Sequence, residues 1–191
     1  MNTLIAGLII FFAVHSISIV NDAWRNRMVA KTGEWGWKGL YALLAIIGLL
    51  LVIRGYGLAR LDPVVLYTAP RWLHYAALLL LLPVFPLLLA AYLPGRIQMV
   101  AKHPMLLATK LWATAHLLVN GTLADVLLFG SFLAWAVADR ISLKRRTPHP
   151  VPNTPPGRFN DAMAVVIGLG LYAAFVFWLH ARLIGAAVIP G

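Results

Sequence analysis

A chain of 191 residues that is 61% hydrophobic and only 12% charged carries more apolar surface than a soluble domain of that size can bury, which excludes a soluble catalytic or nucleic-acid-binding module. Its formal charge of +10 falls between apolar runs, where Lys and Arg meet anionic lipid head groups rather than nucleic acid. With no cysteine, disulfides, thiolate ligands and covalent cofactor attachment through C-x-x-C-H are excluded together.

The apolar runs predict an all-α fold: a polytopic membrane helix bundle of about six transmembrane helices, read as one domain over 1–191. The first span is about Leu4–Val20. No Lys or Arg precedes it and no A-x-A-like site follows, so it is expected to be retained rather than cleaved. The second is about Gly39–Ile53. The third, Trp72–Tyr92, contains Pro83 and Pro86 and should kink. The fourth, Pro104–Val119, and the fifth, Thr122–Ala138, are short, at roughly 24–26 Å by helical rise. Only Asn120–Gly121 joins them, which predicts a tight antiparallel hairpin with Gly121 able to take the left-handed C′ conformation. Between the fifth and sixth spans, RTPHPVPNTPPG (Arg146–Gly157) holds five prolines and should be an extended connector. The sixth span is about Asp161–Ile184.

Twelve of the sixteen Lys and Arg residues fall on one side of this arrangement, from Arg25 and Arg27 to Arg145, Arg146 and Arg158. The other side has only Arg54, Arg60, Arg71 and Arg182. The asymmetry predicts cytoplasmic basic loops, with both termini periplasmic or on the topologically equivalent side.

His15 and His116 each lie inside an apolar stretch, LIAGLIIFFAVHSISIV (Leu4–Val20) and LLATKLWATAHLLVN (Leu106–Asn120). An ionisable group in hydrocarbon is costly, so its default reading is a functional site facing the bundle interior. Two imidazoles on different helices can clamp one metal centre, and haem iron is the candidate. The plainer alternative is that both rings only hydrogen-bond across helices. His15 shares a face with Ser18 and Asp22, and His116 shares one with Thr109, Ala113 and Asn120. By helical rise His15 lies ~9 Å and His116 ~18 Å from the basic side. On depth, His180 or His74 can therefore stand in for His15 opposite His116. His149 lies in the connector. His103 precedes Pro104 at a helix start, where it can reach a head group or a cofactor carboxylate. Thr122-x-x-Asp125 fits a capping box, so Asp125 is read as structural.

The run KHPMLLATKLWATAHLLVNGTLADVLLFGSFLAWAVADRISLKRR (Lys102–Arg146) resembles the NnrU domain family of bacterial membrane proteins. The opening FFAVHSISIVNDAWRNRMVAKTGEWGWKGLYALLAIIGLL (Phe11–Leu50) does so too. The similarity rests on the His-Pro pair, the Ala-His that follows it, the Asn-Gly beyond, and the Gly33–Tyr41 loop. By its name the family is linked to nitrite and nitric-oxide respiration, which implies a denitrification role and a respiratory membrane partner. The chain is similar in the same blocks to 15-cis-zeta-carotene isomerase. That likeness implies haem b held by His15 and His116, His103 in the place of the His-Pro histidine, and a lipidic or carotenoid-like small molecule as substrate. Leu127–Arg140 departs from the isomerase in lacking a histidine pair. Membrane methyltransferases also place Arg-His-Pro at a helix start; here Lys102-His103-Pro104 lacks their downstream glutamates, and Glu34 is the only glutamate in the chain. Haem-dependent redox or isomerase-like chemistry is thus the leading expectation. A non-catalytic membrane partner or scaffold, with basic loops that dock another component, is the competing one.

Overall fold

The computed structural model describes residues 1–149 and 153–188; residues 150–152 of the proline connector lie outside the described residues. In chain order the helices are α1 (Asn2–His15), α2 (Ile17–Ala59), α3 (Arg71–Leu81), α4 (Val84–Ala90), α5 (Arg96–Ala101), α6 (Pro104–Val119), α7 (Leu123–Ser142), α8 (Asn160–Ala174) and α9 (His180–Ile184). A single π-turn, Phe175–Leu179, joins α8 to α9. Among the described residues, three helical stretches are long and apolar enough to cross a membrane: Ile17–Ala59, Arg71–Ala90 and Asn160–Ile184. α1 and α6 are shorter apolar helices, and the twenty residues of α7 include Asp125, Asp139 and Arg140. The chain forms two compact units, residues 1–69 with 119–148 and residues 70–118 with 149–191.

In the first unit α1 and the second half of α2 run antiparallel at near contact of their backbones. A β-carbon at Gly7 would stand 2.5 Å from the Val52 nitrogen, and one at Gly48 would stand 2.7 Å from the Phe11 nitrogen. At Gly55 it would collide with the Leu4 backbone, and Leu4 is fully buried. Helices in lipid lack a hydrophobic drive towards one another, so such small-residue seams supply the dispersion contacts that hold them.

The stretch between the first two expected spans is helical rather than a loop. α2 is broken at Asn21 (φ −152°, ψ 83°) and at Gly33 (φ 75°, ψ 162°). The Asn21 carboxamide accepts from the Trp24 amide at 2.9 Å, a helix N-cap, and Gly33 takes the positive φ that ends the segment. Between them lie Trp24, Arg25, Arg27 and Lys31, the composition of a helix lying along a membrane surface.

α7 begins with the expected capping box. The Asp125 amide donates to Thr122 Oγ1, and the Thr122 amide and hydroxyl donate to Asp125 Oδ2 at 2.9 and 2.6 Å. The sequence did not signal that Tyr56 of α2 donates to the other oxygen, Oδ1, at 2.5 Å. Asp125 thus joins α2 to α7 while capping α7. Tyr56→Phe is expected to lower stability by about 1.5–3 kcal/mol, the range for a hydrogen bond to a charged group. Thermal unfolding in detergent checks this, with Tyr67→Phe as the exposed comparison.

Gly121 does not use the left-handed conformation open to it, since the described positive-φ glycines are Gly33 and Gly185. Close approach is the reason for glycine there. The backbone of Val64–Tyr67 lies alongside, with Leu66 and Tyr67 amides donating to the Gly121 carbonyl at 2.8 and 3.2 Å. A β-carbon on Gly121 would meet the Tyr67 carbonyl. The Leu123 amide donates to Val64, and Tyr67 Oη donates to the Asn120 carbonyl at 2.8 Å.

In the second unit the third span breaks at Pro83, as its proline predicts, and Pro86 sits inside α4. Val84, Leu87 and Ala108 form the core, with Ile97, Leu111 and Trp112 packed against it. Gly168 of α8 lies against the Pro86 backbone, and Tyr172 Oη donates to the Leu78 carbonyl at 3.0 Å near the break. Asp161 accepts from the Arg96 and Ile97 amides at 2.8 and 3.0 Å and so caps the short helix α5. The described connector residues from Asn153 to Gly157 have no regular structure, and the Thr154 amide donates to the Tyr92 carbonyl at 3.0 Å.

Candidate functional site

His15, the last residue of α1, belongs to the first unit. Its Nδ1 lies 2.7 Å from the Phe11 carbonyl; a carbonyl only accepts, so Nδ1 carries the proton. The ring stacks on Phe11 with centroids 4.0 Å apart, and Tyr41 and Trp135 stand edge-on at 5.3 and 5.9 Å. An aromatic box therefore fixes the ring orientation.

His116 and His180 belong to the second unit, and the fold brings them together: their ring centroids are 6.5 Å apart. His116 Nδ1 donates to the Trp112 carbonyl at 2.8 Å, one helical turn back. His180 Nδ1 donates to the Ala186 carbonyl at 2.7 Å. That bond depends on two local departures from α-helix. The π-turn Phe175–Leu179 directly precedes His180 and resets the helical phase, and Gly185, at φ 74°, turns the chain so that Ala186 faces back. In both rings the proton on Nδ1 directs the lone pair to Nε2, which is how metal-ligating histidines are oriented by their surroundings. The same bond also satisfies an imidazole that ligates nothing, so the 6.5 Å separation is the more telling observation. His116 and His180 are the residues that would hold a metal group between them through Nε2, and their ring separation would leave room for one.

His74 also lies in the second unit, and its Nδ1 is the buried side-chain nitrogen without a partner among the described residues. His103 follows Lys102, which takes φ 59° and ψ −44°, and the His103 amide donates back to Ala101 at 2.6 Å. This is a γ-turn of the rarer, strained hand, and it delivers His103 to the start of α6. His149 ends the described part of the connector before residue 150. Glu34 is exposed and paired with Lys38 at 2.6 Å; that hydrogen bond holds its carboxyl below the usual range.

Among the described residues no group of three or more His, Cys, Asp or Glu is placed to hold a metal ion. Cavities of 270 and 320 Å³ lie in the first unit, and neither is lined by a histidine. The first is bounded by Ser18, Asp22, Ser142, Arg145 and Arg146. The second is nearly apolar and lies beside Trp24.

Sequence reasoning placed His180 only as an alternative by depth. The signal that would have raised it is Gly185 five residues on, a C′ glycine able to fold the chain back over the ring. No curated protein and no solved structure matches this chain. A family model described as NnrU protein matches residues 3–188, nearly the whole sequence, and the chain belongs to the NnrU family.

Proposed function

We propose that this protein is a six-span protein of the bacterial inner membrane that holds haem b between two histidines, His116 and His180. The spans are those expected from the sequence, with the fourth and fifth forming a hairpin and both termini periplasmic. Twelve Lys and Arg against four support that orientation. The observation that carries the haem reading is the 6.5 Å separation of the two rings, each held by a backbone carbonyl at Nδ1. A centre with two protein donors needs the rest of its coordination from elsewhere, and a porphyrin brings four nitrogens of its own.

Bound haem would supply a one-electron couple or an iron that polarises a substrate. The residues have simpler tasks. Trp112 and Ala186 carbonyls hold the imidazoles in one tautomer and one orientation. Both rings are half-buried, so a bound group would be only partly shielded from its surroundings. His103, with Lys102 beside it, lies at the start of α6, roughly 20 Å by helical rise from His116, a place that suits an acidic lipid head group. The role that fits is redox or isomerase-like chemistry on a lipidic molecule within nitrogen-oxide metabolism, in company with a respiratory membrane partner. Its support is the family and the haem reading together.

His15 is the other candidate for the second ligand, and two variants separate the pairings. His180→Ala should lower haem content at least tenfold by the pyridine haemochrome assay, while His15→Ala should leave it within twofold. The reverse result would transfer the ligand role to His15. Full haem content in both variants would refute a two-histidine centre involving either.

A further inference from the structure

We propose that residues 22–32 of α2 form a surface helix that seats on anionic phospholipid through one face, made by Trp24, Arg27 and Lys31. The inference rests on apolar helices that cross a membrane and is independent of the haem reading, because every residue it uses lies in the first unit and none is a histidine.

Two breaks set this stretch apart. Asn21 and Gly33 leave helical geometry, so residues 22–32 run in a direction of their own. Their rotation about the helix axis is fixed as well. Trp24 meets the buried Trp37 edge-on across the Gly33 break, with ring centroids 6.0 Å apart, and Arg25, Met28 and Val29 are half-buried. Trp24, Arg27 and Lys31 stand three and seven positions apart and therefore share another face, on which all three are exposed. Arg27 and Lys31 form no hydrogen bond or ion pair among the described residues. The single acid of the stretch, Asp22, is nine residues from Lys31, which puts it on the far side of the helix.

The face also adjoins apolar surface. Val20, 83% exposed, directly precedes Asn21, and Ala13, Ile17 and Val20 lie beside Trp24. Two cations and an indole next to such a surface complement an interface that is negative outside and apolar beneath. Indole rings settle at the level of the head groups, and the long stems of Arg and Lys carry their charges to the phosphates. A soluble acidic partner would use the cations and leave Trp24 and Val20 in water. A neutral bilayer would take Trp24 and give the cations nothing. An anionic bilayer engages all of them, with each Lys or Arg near the surface shifting the seating equilibrium about fivefold.

The chain has no cysteine, so Ala30→Cys gives a single attachment point at the edge of this face, beside Lys31. The test is the emission of nitrobenzoxadiazole attached there, with the full chain reconstituted in vesicles of phosphatidylcholine alone or with about 30% phosphatidylglycerol. The anionic vesicles should give a blue-shifted emission about twofold stronger, and sodium chloride at about 0.5 M should remove most of the difference. Arg27→Gln with Lys31→Gln should abolish it, whereas Lys38→Gln, whose cation is already paired with Glu34, should leave it unchanged. Circular dichroism and gel filtration confirm folding, and the salt dependence of the labelled parent carries the test if the double variant fails to fold. Equal emission in the two vesicles, or a difference that survives the salt or the double substitution, would overturn the proposal. A label that stays solvated in both vesicles and is shielded on adding polyglutamate would assign the face to an acidic peptide and overturn it as well.

Discussion

His116→Ala protein, purified in mild detergent, is expected to carry less than a tenth of the haem of the parent protein. The expectation follows from position rather than from histidine chemistry alone. His116 lies on α6, its Nδ1 is held by Trp112, and its ring faces His180 across 6.5 Å. Changes to residues that merely orient a ligand cost about 10–100-fold in metal affinity, and removing the ligand itself should cost no less. His116→Gly leaves the ring's volume open, so millimolar imidazole added during haem loading should restore a low-spin spectrum in that variant and not in the double His116→Gly, His180→Ala protein. Such rescue separates ligation from a general loss of fold, because free imidazole replaces only the missing donor. Haem content in His116→Ala equal to that of the parent would remove this residue from the site.

The second large effect concerns the α1–α2 seam. Gly7→Ala is expected to destabilise the protein by about 3 kcal/mol or more, at or beyond the upper end of the usual range for overpacked positions. The added carbon would meet backbone atoms of Leu51 and Val52, which cannot rotate away as a side chain can. Gly57→Ala, on the same helix α2, is the control: no heavy atom lies within 4 Å of its β-carbon position. There the lower backbone entropy of alanine should leave stability unchanged or raise it by up to about 1 kcal/mol. Thermal unfolding of the two variants in the same detergent gives the comparison. Equal midpoints would mean that α1 and α2 do not meet at Gly7.

Much of this fold was legible because the signals were local. α6 runs over Pro104–Val119 as its hydropathy and leading proline indicate, the third span breaks at Pro83, and Thr122 and Asp125 form the capping box their spacing implies. Where the physical cause was long-range, the reading fell short. Tyr56 and Asp125 are 69 residues apart, and nothing near either announces the bond between them. Gly121 was read through its turn-forming habit, whereas the Tyr67 carbonyl pressed against it explains the glycine. The helix after Asn21 was overlooked because its basic residues, counted for orientation, also read as a loop; the cap at Asn21 and the stop at Gly33 were present in the sequence.

The candidate site divides in the same way. The expectation that histidines within apolar runs form a site comes from the cost of burying an imidazole in hydrocarbon. Which of them meet was not legible, because helical rise gives depth but not azimuth. The His116–His180 approach depends on a π-turn that shifts the helical phase just before His180, and no residue in Phe175–Leu179 encodes that shift by composition alone. The departure from regular helix at one of the two rings is consistent with a site shaped for something other than packing.

The most direct test of the central claim is the absorption spectrum of the parent protein, expressed with added haem precursor and purified in mild detergent, before and after dithionite. Two-histidine ligation predicts a Soret band that shifts and sharpens on reduction, with resolved α and β bands of a six-coordinate low-spin iron. A visible spectrum that stays flat under those conditions would contradict haem binding by His116 and His180.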